Sequence, residues 1–407
     1  MVHYLRKHNW YVDVITVQNI IFHSIDLKFS EECNENNLYK INSLDPMAVL
    51  SKFKGKNNQG KNRVENKIYF KTPEMIKKII RSIFPIDDKI GWLPFAVRKG
   101  KFLCKENEYS AVMATIGPYT SALIAYLISK KCNLPLIIDY RDSWSSHPYL
   151  DFLSFFHRKY SEHWEKKILN SAEVISTHTK WLKESLIFKY GKHLKGKIHI
   201  MYNAWDERDF KNVKRKKNNN KVLFYYIGGF YGYQTPKYFI ESLEELYSDN
   251  KLPEDIEIIF VGNFFVKIKK LIKNSKINGF IKILPQVPHK KAIEYMLSAD
   301  VLLLFIASYK SKGVVTGKVF EYIRSKNEIF AMIPPEGECA EILRSYNYNY
   351  ICAMEDNEKI KENFIDIYKF VKSKKYNNRK IDNQYSRKNQ VNQFEKFLLK
   401  RVFRDEI

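Results

Sequence analysis

The chain lacks several features that would commit it early. No apolar stretch approaches the ~18 residues needed to span a bilayer, and Met1-Val2-His3-Tyr4-Leu5-Arg6-Lys7 has no signal-peptide core. A cytosolic location is therefore expected. The five cysteines (Cys33, Cys104, Cys132, Cys339 and Cys352) are odd in number and scattered, with no Cys-x-x-Cys pair, so neither a disulfide framework nor a zinc site is implied. There is no Gly-x-x-x-x-Gly-Lys-Ser/Thr phosphate loop, and no Ser-His-Asp set is readable from spacing. His157 and His163 flank Glu162, but six residues apart they share no helical face and match no metal spacing, so both read as surface groups. Acidic residues are also short, at 45 against 69 basic ones, which leaves a net charge of +24.

That excess draws a protein to polyanions, and anionic lipid and nucleic acid are equally good electrostatic partners. Much of it lies in Lys52–Lys67 and Lys211–Lys221. Without zinc-finger spacing, an RNA-recognition aromatic motif or a basic zipper, nucleic acid is not the expected partner. A composition rich in Lys, Asn and Ile also follows from an AT-rich coding sequence, so charge speaks to surroundings rather than to chemistry.

What is present is globular. Hydrophobic residues make up 45% and aromatics 15% of 407 residues, enough for two or three domains with their own cores. Strand-like and helix-like signals alternate, as in parallel sheets covered by helices. In the first half, strands are predicted at Val12–Val17, Ala111–Ile116, Leu136–Tyr140 and Val174–Thr177. Helices are predicted at Pro73–Ile83, Ser121–Lys131, Phe155–Asn170 and Trp181–Phe188. Residues 211–220 are polar, charged and aperiodic and read as a linker. The cycle restarts with strands at Val222–Ile227, Ile256–Val261, Ile281–Leu284 and Ile329–Ile333, and helices at Phe239–Leu246 and Ala292–Leu297. The domains expected are 1–210, 221–380 and a terminal segment, 381–407, whose helix Tyr385–Val402 carries Val391, Phe394, Phe397 and Leu398 for packing.

The most informative stretch is Thr316-Gly317-Lys318-Val319-Phe320-Glu321-Tyr322-Ile323. It follows the apolar run Ala299–Ile306, which reads as a buried parallel strand. Val319, Phe320 and Ile323 have helical spacing. Strand, glycine loop and helix place backbone N–H groups and Lys318 where an anion would sit. Glu321, read as lying in the first turn, can accept hydrogen bonds from sugar hydroxyls, the outline of a nucleotide-sugar site. The alternative is that it only complements the positive end of a helix.

Other motifs accompany it: Thr115-Ile116-Gly117-Pro118-Tyr119, Ile138-Asp139-Tyr140-Arg141-Asp142, Met201-Tyr202-Asn203-Ala204-Trp205 and Tyr226-Ile227-Gly228-Gly229-Phe230. In this order and spacing, over nearly its whole length, the chain resembles the GT-B glycosyltransferases, specifically the family 4-like retaining enzymes of bacterial cell-surface polysaccharide assembly. The resemblance implies two Rossmann-like α/β domains facing a cleft, a nucleotide-sugar donor, a glycan or lipid-linked acceptor, and no metal or other cofactor. Glu321 matches the glutamate that binds the donor ribose. Gly228 and Gly229 match the turn that lets the donor approach, and Thr316, Gly317 and Lys318 are placed for phosphate. Gly117 and Pro118 fall on the acceptor side. Arg141-Asp142 align with a catalytic-site His-Asp. An arginine cannot act as a base, so it is read as contacting phosphate or acceptor, with Asp139 or Asp142 orienting the acceptor hydroxyl. These groups could equally pair with one another at a strand end.

The chain departs from the pattern in three places. A second glutamate found in many relatives is replaced by Gly313. The Arg/Lys pair after the glycine turn corresponds to Phe230 and Gln234, with Lys237 a substitute. Tyr4–Trp10 resembles the end of the first helix and Tyr11–Val17 the second strand, so the opening strand and glycine loop have no counterpart. Either Met1 is not the true start or the product is truncated. Weak donor binding and poor turnover are then expected. Two other classes stay open. A GT-B-fold nucleotide-sugar 2-epimerase would form free UDP-ManNAc from UDP-GlcNAc, and a non-catalytic polyanion binder would show strongly salt-dependent nucleic-acid binding.

Overall fold

The computed structural model describes residues 1–17, 37–44, 86–87, 89–146, 152, 154–215, 220–309, 311–373 and 379–403. The predicted helix Pro73–Ile83 and the basic segment Lys52–Lys67 lie outside them. The chain divides into two compact units, one of Met1–His178, Leu182–Met201 and Val391–Ile407, the other of Thr179–Trp181 and Tyr202–Gln390.

The second unit is built on six parallel strands: β7 (Val222–Ile227), β8 (Ile256–Val261), β9 (Ile281–Leu284), β10 (Val301–Phe305), β11 (Glu328–Met332) and β12 (Ile351–Cys352). Their order is β12-β11-β10-β7-β8-β9. Counted from β7 this is the 3-2-1-4-5-6 order of a doubly wound nucleotide-binding domain, whose winding reverses between β7 and β10. Those two strands, paired through Val301↔Phe224 and Leu302↔Tyr225, are buried at every position. Such uniformly apolar runs are what a strand covered on both faces needs. Phe224, Phe239, Phe305, Phe330 and Phe364 fill the core on one side, stacked edge to face or offset. The sequence had not revealed the helices Val266–Lys273, Glu338–Ser345 and Asn357–Lys372. The last is capped by Asp356, whose side chain accepts from the Lys359 N–H.

The first unit holds its strands in two groups. β3 (Val112–Ile116), β4 (Leu136–Tyr140), β5 (Val174–Thr177) and β6 (Ile198–Ile200) form one parallel sheet in that order. β1 (Val14–Val17) and β2 (Leu38–Ile41) form a separate parallel pair. One layer of helices serves both groups. Ala96 and Val97 of the helix Leu93–Glu106 and Ile124 and Ile128 of the helix Thr120–Cys132 pack against Ile15, Val17 and Ile41 as well as Val112. In doubly wound order one further strand belongs between β1 and β3. Among the described residues none pairs there, and the two free edges do not pair with each other. Residues Val2–Lys7 form a helix. Tyr4 and Leu5 of that helix pack on Val391 of the last helix, Arg387–Val402. Glu395 of the same helix accepts from Trp10 Nε1 at 2.6 Å and meets His8 Nδ1 at 2.5 Å. Both units are Rossmann-like α/β bodies.

Candidate functional site

In the second unit the predicted donor residues converge at the winding reversal, where open parallel sheets bind ligands. Gly228 follows β7 at φ +134°, a region closed to most side chains. A Cβ there would lie 2.3 Å from Lys318 Nζ, so the glycine makes the space that the lysine crosses. Gly262 repeats the device at the end of β8. At φ +157°, its Cβ would stand 2.1 Å from the Gly228 carbonyl oxygen. The Lys318 ammonium donates to Tyr226 Oη at 3.2 Å and sits 4.5 Å from that ring's centre. Tyr226 in turn donates to the Gly229 carbonyl at 2.7 Å, fixing the turn. Burial pushes the Lys318 pKa down to about 8, against the opposing pull of Glu321. The loop thus holds a desolvated cation that an anionic ligand would complete.

Thr316 is the N-cap of the helix Gly317–Ser325, yet its side chain makes no cap, and its buried Oγ1 has no partner. Gly317 faces open space. Lys318 follows Thr316 and Gly317 directly and crosses Gly228, so the helix start and the glycine turn meet at its ammonium. Glu321 corrects the sequence reading. It is the fifth helical residue, so it lies in the second turn and does not complement the helix start. Its carboxylate lies 3.6 Å from His289 Nε2, and His289 also meets Asp209 at 3.3 Å. Burial raises the Glu321 pKa, Asp209 adds to the rise, and His289 and Lys318 oppose it. With 21% of its side chain exposed, a carboxylate oxygen stays reachable. His289 and Asp209 carried no sequence signal, because their elements are 80 residues apart.

The departures acquire physical reasons. Phe230 is core, stacked 4.5 Å from Tyr226, so it cannot stand in for a phosphate-gripping arginine. Lys237 is turned to Glu241 at 3.6 Å. The cation at the turn is Lys318 and not Lys237. At Gly313 a Cβ would fall 2.3 Å from the Trp181 ring, which occupies the room a second glutamate would need.

In the first unit Gly117, Pro118, Asp139, Arg141 and Asp142 gather at the C-terminal ends of β3 and β4. The Gly117–Pro118 peptide is cis. A Cβ at Gly117 would lie 2.7 Å from Asp142 Oδ2, so this glycine admits the carboxylate. The helix start beyond Pro118 is closed to a ligand, since Asp87 already accepts from the Thr120 amide at 2.8 Å and from its hydroxyl. Asp139 is 2% exposed and accepts from Thr115, Ser176 and Arg141 Nε. It positions Arg141 and offers no open face to an acceptor. Pairing at the strand end is thus realised for Asp139 with Arg141, while Asp142 is exposed. Sequence reasoning missed His178, the residue after β5. Burial lowers its pKa, and Arg141 beside it lowers it further, against Asp142 and Asp139. Its buried Nδ1 has no hydrogen-bond partner. Behind these groups the buried Glu165 accepts from Tyr140, Ser145 and Tyr190, tying strand to helix. His163 is exposed as expected, whereas both His157 ring nitrogens are buried without partners. Among the described residues no group of three His, Cys, Asp or Glu could hold a metal, and no helix is long and apolar enough to cross a membrane.

Comparison with known proteins bears on both units. The fold is similar to that of UDP-GlcNAc 2-epimerase from Methanocaldococcus jannaschii, with TM-score 0.54, 15% identity, and 98% of this chain and 94% of that one covered. It is also similar to sucrose-phosphate synthase from Thermosynechococcus elongatus, with TM-score 0.56, 11% identity, and coverage of 98% and 88%. An Anabaena protein, HepE, solved with UDP and glucose, aligns with TM-score 0.50 at 11% identity over 97% of each chain. No curated protein matches the sequence. At such identities the likeness is one of fold, and that fold is GT-B. Residues 207–385, almost the whole of the second unit, match the family described as glycosyl transferases group 1.

Proposed function

We propose that the protein transfers a sugar from a nucleotide-sugar donor, with retention, to a growing cell-surface glycan or its lipid-linked precursor. The observation that carries this is the buried Lys318 ammonium seated across Gly228 at the winding reversal, within reach of Glu321. A leaving diphosphate develops charge as the glycosidic bond breaks, and a preorganised cation in a water-poor site stabilises that charge most. Lys318, with Thr316 Oγ1, would meet the phosphates, and Glu321 would accept from ribose hydroxyls. On the acceptor side, Arg141 would contact phosphate or acceptor and Asp142 would orient the hydroxyl, with Asp139 holding Arg141. No metal is invoked, and the protein works at the anionic inner face of the cell membrane, to which its net positive charge draws it. Calorimetry across nucleoside diphosphates and nucleotide sugars should find at least one that binds and that loses affinity in Lys318→Met. Absence of binding across the set would overturn the reading.

One observation favours a second reading. His178 beside Arg141 and Asp142 gives the first unit a histidine among carboxylates, as a 2-epimerase needs. Incubation with UDP-GlcNAc and no acceptor tests the second reading: free UDP-ManNAc marks the epimerase, and an unchanged donor removes that support.

A further inference from the structure

A hollow of ≈ 420 Å³ opens in the first unit between β2 and the helix Leu93–Glu106, lined by Lys40, Ile41, Phe95, Arg98, Lys99 and Phe102. The helical members are spaced i, i+3, i+4 and i+7, so they form one stripe along a single face. Two properties of that stripe are unusual together. Phe95 and Phe102 are 39% and 52% exposed, although the same helix buries Ala96, Val97 and Leu103 on its other side. Among the described residues, Lys40, Arg98 and Lys99 have no carboxylate partner, and the helix carries its single acid, Glu106, at its last position. The Lys99 ammonium lies 4.2 Å from the Tyr39 ring centre and 5.0 Å from that of Phe102, held up by aromatic faces instead of an anion. Other surface lysines do meet carboxylates, as Lys282 meets Glu257, Lys359 meets Glu362, and Lys361 meets Glu245 and Glu358.

We infer that this hollow binds the phosphate headgroup of an anionic membrane lipid. Arg98 and Lys40 meet the phosphate oxygens, Arg98 with the planar fork suited to them, while Phe95 and Phe102 enter the region between headgroup and acyl chain. Three unmatched cations supply the complementary charge. The exposed rings favour a membrane over a nucleic acid, because an amphipathic face of basic and aromatic side chains lies in the bilayer interface with its apolar groups inward. The site deepens the membrane part of the proposed function and needs no donor chemistry.

The test is flotation of the full chain with vesicles of phosphatidylcholine alone and of phosphatidylcholine with about 30% phosphatidylglycerol, whose charge gives the surface a negative potential. Wild type should bind the anionic vesicles and not the neutral ones. Arg98→Gln/Lys99→Gln should weaken binding about 30-fold, at roughly fivefold per cation near the surface. Phe95→Ser/Phe102→Ser should weaken it while leaving its salt dependence in place. Lys267→Gln/Lys270→Gln, on the exposed basic helix Val266–Lys273 of the other unit, should bind as wild type does. Should a helix variant fail to fold, hydrogen exchange on the wild type decides: residues 93–106 gain protection with anionic vesicles if the inference is right and gain none if it is wrong. Unchanged binding in both helix variants overturns it. So does a tight complex with single-stranded DNA in place of vesicles, or complete competition by glycerol phosphate with no effect of the phenylalanine changes, which would mark a site for free anions. Nucleotide binding measured on the same variants keeps this outcome separate from that of the transferase reading.

Discussion

Replacing Lys318 with methionine should make the protein more stable and a poorer nucleotide binder at once. Methionine has about the length of the lysine stem and carries no charge into the buried position. Burial brings the lysine from its ordinary 10.5 to about 8. Each unit is worth 1.36 kcal/mol, so the folded state bears ~3 kcal/mol against it wherever the unfolded lysine is protonated. A lysine whose folded pKa lies below its unfolded value favours unfolding below the latter. The penalty is whole below about pH 8 and fades as the pH climbs to 10.5. The lost hydrogen bond to Tyr226 returns ~1 kcal/mol of that. A net gain of ~2 kcal/mol at pH 7 remains, or ~4–8 °C in the melting temperature of a domain of this size. The gain should shrink steadily between pH 8 and 10.5. Nucleotide affinity should meanwhile fall by ~1.5–3 kcal/mol, the scale of a hydrogen bond to a charged group. Calorimetric melts of both proteins across that pH range, with isothermal titrations of nucleoside diphosphate, decide the matter. A variant that is less stable at pH 7, by an amount independent of pH, would refute the reasoning, because the ammonium would then have been solvated or paired all along.

Three further outcomes follow from the same geometry. Glu321→Gln should weaken nucleotide binding by ~1–3 kcal/mol through a lost charge-assisted hydrogen bond, and unchanged affinity in calorimetry would remove Glu321 from the site. Gly262→Ala should destabilise by more than ~1 kcal/mol, since its Cβ meets the Gly228 backbone at 2.1 Å. In the same denaturant titrations Gly279→Ala, with open space around its Cβ, should stay within ~0.5 kcal/mol. Arg379→Met should cost ~3–5 kcal/mol by stranding Glu328, because both partners of this 2.6 Å pair are buried. Chemical denaturation of Arg379→Met/Glu328→Met should recover most of the loss, and equal stability of the single and double variants would show that the stranded charge is not the cause.

The sequence by itself determined what local periodicity and loop chemistry can encode. The run Ala299–Ile306, apolar at nearly every position, could only be a strand covered on both faces, and the glycines at 228 and 317 marked the two loops that meet at the winding reversal. The alternation of strand and helix across both halves specified parallel sheets covered by helices, though not the division of the first unit's strands into two groups. That one layer of helices would pack against both strand groups of the first unit was not legible, because Ile15, Val17 and Ile41 meet Ala96, Val97, Ile124 and Ile128 only in the folded chain. Tertiary structure alone decided the partners. His289 and Asp209 reach Glu321 from elements distant in sequence, and His178 joins Arg141 and Asp142 because parallel pairing sets the ends of β4 and β5 side by side. Whether Lys237 or Lys318 served the glycine turn could not be read from spacing. It depended on which side chain crosses above Gly228, and only the packing of Tyr226 beneath that path fixes it. Burial then depresses the Lys318 pKa, and burial is a property of the folded chain: the sequence names the lysine, and the surrounding protein sets its charge.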